Sequence, residues 1–137
     1  MAHGGMNYLA VFIAAVAGFA FGAVYYTLLG RRWLAALGKT RDDMAAGGKI
    51  APFVTSAIAL VVMAFVLAGS IGHLGPGQVT IRNGIISGAI LWVGMVMTTM
   101  AVNHRFQGSK WSLTFVDGGH WLGVLLIQGL IIGAMGT

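Results

Sequence analysis

The chain has 137 residues, 58% of them hydrophobic and 8% charged, with no cysteine and a mean hydropathy of +0.87. A soluble domain carries about 25% charged residues, so this composition excludes an ordinary soluble protein, and the missing thiols exclude disulfides and thiolate metal sites. The formal charge of +5 does not point to nucleic acid, because the basic residues flank apolar runs, where they set orientation and meet anionic head groups.

A hydrocarbon core is spanned by about 20 apolar residues. Four runs of that length, Tyr8–Leu29, Ile50–Ile71, Asn83–Asn103 and Leu113–Met135, predict an all-α bundle of four transmembrane helices forming one domain over residues 1–137. The first run lacks a basic segment before it and carries its charges after it, so it is expected to be a retained span rather than a cleaved signal peptide. Met1–Gly5 and His3 carry no weight in this reading. Ala10, Ala14, Gly18 and Gly22 recur every four residues along the first run. Such rows let backbones approach closely in lipid.

The loop that follows holds Arg31, Arg32, Lys39, Arg41 and Lys49, the cations expected to face anionic lipids. Within it, Trp33, Leu34 and Leu37 suit an amphipathic piece on the interface. Thr40 and Asp43 have the spacing of an N-cap pair, with Gly47-Gly48 as its stop. Pro52 falls in the first turn of the second span, where its missing N–H costs little. His73 ends that span as an interfacial residue, and Gly75-Pro76-Gly77 forms the next turn. Gly84 and Gly88 continue the small-residue pattern in the third span, as do Gly119, Gly123, Gly129 and Gly133 in the fourth. Ala14, Gly18, Gly22, Gly84, Gly88, Gly119 and Gly123 are therefore the candidate helix-packing positions. Packing within one chain is favoured over a dedicated seam for a homo-oligomer or for other membrane subunits.

Arg105 and Lys110 separate the third and fourth spans, and Arg82 alone lies between the second and third. Seven cations on one side against one on the other make the first and third loops cytoplasmic and place both termini outside. The expected location is the bacterial cytoplasmic (inner) membrane, with multiple passes. The sequence Gly30-Arg31-Arg32-Trp33 is echoed by Gly108-Ser109-Lys110-Trp111, a faint trace of hairpin duplication.

Polar groups inside so apolar a bundle are the functional pointers. At 100° per residue, Asp117, His120, Val124 and Gln128 share one stripe of the fourth helix, and Trp92, Thr99 and Asn103 one face of the third. Tyr25 and Tyr26 end the first helix at the same level. Tyr26, Thr99, Asn103, Asp117 and His120 thus form a candidate intramembrane cluster.

The favoured reading of that cluster is a structural hydrogen-bond network, since polar groups in lipid must be paired. A proton or small-solute path past Asp117 is the next. Two glycines after Asp117 leave a further option, in which the helix starts later and Asp117 is its N-cap. No cofactor is expected: haem, pigment or metal at His120 or His104 is the competing reading, but two ligands are too few for a closed site. No catalytic residues are assigned, because no Ser, Cys or second carboxylate adjoins Asp117 and His120 in these spans to complete a nucleophilic or acid–base scheme. The expected function is a non-enzymatic accessory or interaction subunit of a membrane assembly. The alternative is a transporter-like protein moving protons or a small solute.

Asn7-Tyr8-Leu9-Ala10-Val11, Gly22 through Gly38, Leu91-Trp92-Val93-Gly94, Asn103 with Phe106 and Gly108, and Val116-Asp117-Gly118-Gly119 occur in an order that resembles an uncharacterised bacterial family. Its members are small four-helix membrane proteins, grouped as domain of unknown function 1761. The resemblance covers nearly the whole chain and implies fold and compartment, not mechanism. This chain carries Thr27 where the family pattern often has Pro, and His120 where it tends to have Tyr. The second departure gives Asp117 and Asn103 more weight than His120.

Overall fold

The computed structural model describes residues 5–137, and His3 lies outside them. Seven α-helices and one π-helical segment make up the described chain, without a β-strand among the described residues. Four helical rods are long and apolar enough to cross a membrane: Tyr8–Leu28, Ile50–Gly72, Ile81–Phe106 and Trp111–Met135. They fall where the apolar runs predicted them, with ends moved by up to three residues.

Helix α1 (Tyr8–Leu28) starts at Asn7, whose Oδ1 accepts from the Ala10 N–H at 3.0 Å. It is followed by the short α2 (Gly30–Leu37), which stops at Gly38. Gly38 has φ +70°, and the Gly38 and Lys39 amides close back onto Ala35 and Leu34, a left-handed C-cap for which glycine is the natural residue. Helix α3 (Arg41–Ala46) opens on the expected pair: Thr40 Oγ1 accepts from the Asp43 amide, and the Asp43 carboxylate accepts from the Thr40 amide. The long α4 (Ile50–Gly72) then recrosses the bundle.

Thr80 caps α5 (Ile81–Leu91), two residues earlier than the apolar pattern indicated. The rod continues through a π-helical segment, Trp92–Met97, into α6 (Thr98–Phe106). A second glycine cap, Gly108 with φ +72°, turns the chain into α7 (Trp111–Met135). Gly118 and Gly119 do not unwind α7, so Asp117 lies inside the helix and is not its N-cap. Trp33 sits in α2 while Trp111 begins α7, so the two halves of the sequence echo fall in unlike elements.

Helix α7 is the centre of the bundle, packed most closely on α5 and α1, while α4 closes the other side of α1. The glycines permit this. A methyl group added to Gly84 would collide with the Gly129 backbone, and one at Gly133 with the Thr80 backbone. At Gly88 it would meet the Leu125 carbonyl oxygen at 2.7 Å. Gly123 takes the Phe21 ring, and Ala14 is fully buried. The small-residue rows are thus filled from within the chain.

The core is polarised along the bundle axis. Towards the termini, Val11, Ala14, Ala64, Leu67, Ile71, Leu125 and Ile132 form a dry apolar cluster. Towards α2 and the α6–α7 turn, the packing opens and polar side chains replace aliphatic ones.

Candidate functional site

Tyr26 lies on the last turn of α1 and Asp117 on the second turn of α7. Because the two helices run antiparallel, these turns meet, and Tyr26 donates from its hydroxyl to Asp117 Oδ1 at 2.6 Å. Tyr25, beside it, donates to the Val116 carbonyl at 2.6 Å. One turn further along α7, His120 is 8% exposed and packed among rings. Its centroid is 4.9 Å from Tyr26, 4.5 Å from Trp121 and 5.7 Å from Tyr25. A Cβ on Gly22 would stand 2.8 Å from His120 Nε2, so the ring occupies the space that this glycine vacates. His120 Nδ1 is buried with no hydrogen-bond partner among the described residues.

Two turns below, Gln128 is fully buried and donates to the Leu60 carbonyl of α4 at 3.1 Å, while its Oε1 has no partner among the described residues. The stripe of Asp117, His120, Val124 and Gln128 thus faces α1 and α4. The opposite side of α7, with Gly118, Gly129 and Gly133, faces the third span.

Thr99 and Asn103 do not join the cluster: both are exposed. Thr99 donates its hydroxyl to the carbonyls of Met95 and Val96 in its own rod. The cause is the π-helical segment Trp92–Met97. A π turn accommodates one residue more than an α turn, so every position after it is rotated by about 100° from the face that uniform α-helical counting assigns. Trp92, before the segment, faces α7 and donates to the Gly118 carbonyl at 2.8 Å. After it, the inward positions are Met100 and His104, each one residue beyond Thr99 and Asn103.

His104 Nδ1 lies 2.8 Å from the fully buried Thr114 Oγ1, which also accepts from the Arg105 guanidinium at 2.8 Å. That guanidinium stacks over Trp111, 3.6 Å from the ring centroid. This clasp ties α6 to α7 beside the cluster. It also sets His104 apart from His120, and no three His, Asp or Glu side chains converge among the described residues.

The cluster forms part of the wall of a cleft of about 720 Å³ between α1, α2, α4 and α7. Asp117, His120 and Tyr26 line it with Trp33 and Trp121, and Lys49 stands at its loop end. Gly18 and Leu60 line its deep end; the ten residues from Ile50 to Leu60 rise about 15 Å, roughly half the hydrocarbon thickness. Trp33 therefore belongs to the cleft rather than to an anchoring face, its ring 5.5 Å from that of Tyr26. The α-helical period of α2 carried no sign of this. Ser56 also lines the cleft, but its hydroxyl donates to the Pro52 carbonyl at 2.8 Å within α4. At the other end of the bundle, a smaller hollow of about 240 Å³ is lined by residues that include Asn7, Gly69 and the exposed His73.

A family model described as a protein of unknown function, DUF1761, matches residues 9–133. No curated protein and no solved structure matches the chain.

Proposed function

The chain belongs to the DUF1761 family, and from that premise we propose that it is a small-solute-binding, transporter-like protein of the bacterial cytoplasmic membrane. The loops holding α2, α3 and the α6–α7 turn face the cytoplasm, and both termini face outward. The observation that carries this reading is the cleft: a cavity of about 720 Å³ reaching mid-membrane, with the only carboxylate of the spans in its wall. A carboxylate on the second turn of a span is costly unless it is paired or in use. Tyr26 donates to one Asp117 oxygen, and the Trp33 side chain stands beside the same carboxyl group. The cleft lining runs from Lys49 at the loop end to Gly18 and Leu60, and beyond Leu60 the core towards the termini is apolar.

The reading is non-enzymatic. One carboxylate, and one serine committed to its own helix, supply no nucleophile–base pair. An accessory subunit docking through glycine-lined faces has less support, because those faces meet other helices of the same chain. Its remaining support is the third span, which is the least covered of the four.

Mass spectrometry of protein gently extracted from its own membranes separates the two. A bound small molecule, lost in an Asp117→Asn variant of unchanged unfolding temperature, is the expected result. A stable complex with other subunits and no bound small molecule would establish the accessory role instead.

A further inference from the structure

We propose that the ligand of this cleft is a lipophilic organic ammonium ion, entering sideways from the bilayer between Phe19 and Phe53. The inference rests on the solute-binding reading above and adds the class of solute and its route.

The chemistry of the wall selects the charge type. Asp117 supplies one carboxylate, and around it stand the rings of Tyr26, Trp33 and Trp121. A calcium ion takes six to eight oxygen ligands, and the wall offers a single carboxylate, with no convergent group of three His, Asp or Glu side chains among the described residues. An alkylammonium needs one counter-ion and aromatic faces, since aromatic rings attract cations through their quadrupole, most strongly when water is excluded. Such an ion can pair with the Asp117 carboxylate, which Tyr26 engages through Oδ1, while stacking against the Trp33 ring that stands beside it. Tyr26 itself is held in place by that hydrogen bond and by its edge-on contacts with Tyr25 and Trp33.

The shape selects lipophilicity. The polar groups lie towards the loops, and the deep end is Gly18 and Leu60. An amphiphile bound with its ammonium at Asp117 therefore points its chain towards the middle of the bilayer, the orientation it already has in a leaflet.

The surroundings select the route. Lys49 lines the loop end of the cleft, and Arg31 and Arg32 are exposed on α2 beside Trp33. A hydrophilic cation approaching from water meets these positive charges first, whereas one already dissolved in the leaflet does not. Phe19 of α1 and Phe53 of α4 face each other across the seam with ring centroids 6.0 Å apart. Both line the cleft, and both are exposed on its outer side, Phe19 by 36% and Phe53 by 53%. They form a two-ring door between lipid and site.

The test is binding of radiolabelled dodecyltrimethylammonium to the protein in nanodiscs, against empty nanodiscs, with dodecanol and dodecyl sulfate as competitors of equal chain length. The expected result is saturable binding of the ammonium, with the alcohol and the sulfate each at least about tenfold weaker. Asp117→Asn keeps an oxygen for the Tyr26 hydroxyl and is expected to weaken binding by about tenfold or more, and Trp33→Ala by a few-fold. If Asp117→Asn fails to fold, the wild-type preference for ammonium over alcohol decides the matter alone. Equal competition by dodecanol would overturn the ammonium assignment while leaving a solute-binding cleft. Preference for dodecyl sulfate would overturn it in favour of an anion held by Lys49. No saturable binding of any of the three would remove the solute-binding reading as well.

Discussion

Tyr26 and Asp117 sit 91 positions apart in sequence and 2.6 Å apart in space, and the bond between them is the most exposed to test by substitution. Tyr26→Phe removes the donor and leaves the carboxylate without its hydroxyl partner. The expected loss is about 2 kcal/mol of bundle stability, the range for a hydrogen bond to a charged group, measured by unfolding titration in detergent. Two glycine substitutions separate a movable neighbour from a fixed one. At Gly22 an added methyl meets the His120 ring, which can shift, so Gly22→Ala is expected to cost about 1 kcal/mol. At Gly84 it meets the Gly129 backbone, and only separation of two helices relieves it; Gly84→Ala is expected to cost about 3 kcal/mol. Equal effects at the two positions would contradict this account of the packing. Outside the spans, the Thr40 backbone amide holds the Asp43 carboxyl below its ordinary value. Because the folded-state value is depressed, the contribution to α3 is present above the unfolded value of 3.8 and is lost as pH falls through the lower folded one. Amide exchange in Arg41–Ala46 is expected to quicken only under those acid conditions, and exchange unchanged down to pH 2 would argue against the cap.

The elements carry their own lesson, and the third span states it most clearly. Its hydropathy identifies a helix but says nothing about Trp92–Met97 widening to π geometry, because the same apolar residues suit either turn. That one local choice decides whether Thr99 and Asn103, or Met100 and His104, face α7. The chain has no cysteine, so single-cysteine labelling reads the choice directly. Asn103→Cys is expected to react readily with a thiol reagent and His104→Cys slowly; the reverse would restore uniform α-helical phasing. Helix α2 is similar. Its amphipathic period was legible, as were the capping pair of α3 and the glycine stop at Gly47, since caps depend on neighbours in sequence. That Trp33 turns into the cleft was not, because its partner Tyr26 lies across a helix break.

At the scale of the whole molecule, topology and site are linked through the charge distribution. A reporter fused after Thr137 is expected to be active outside the membrane and inactive in the cytoplasm. The opposite result would reverse the leaflet in which the Asp117 cluster lies without altering its chemistry. Length, hydropathy and charge in the sequence by themselves determined that there are four spans, roughly where each begins and ends, and which face of α7 is polar. Those properties are local, set by the need to satisfy every backbone group inside a hydrocarbon layer. Only the tertiary structure decided that Tyr26 takes Asp117 and that the glycine rows close on this chain's own helices. It also decided that a π turn withdraws Thr99 and Asn103 from the site, and that Trp33, Trp121 and Lys49 border a cleft. Each of these depends on which helix faces which and at what rotation, and for an apolar helix in lipid many rotations satisfy the same hydropathy until close packing selects one.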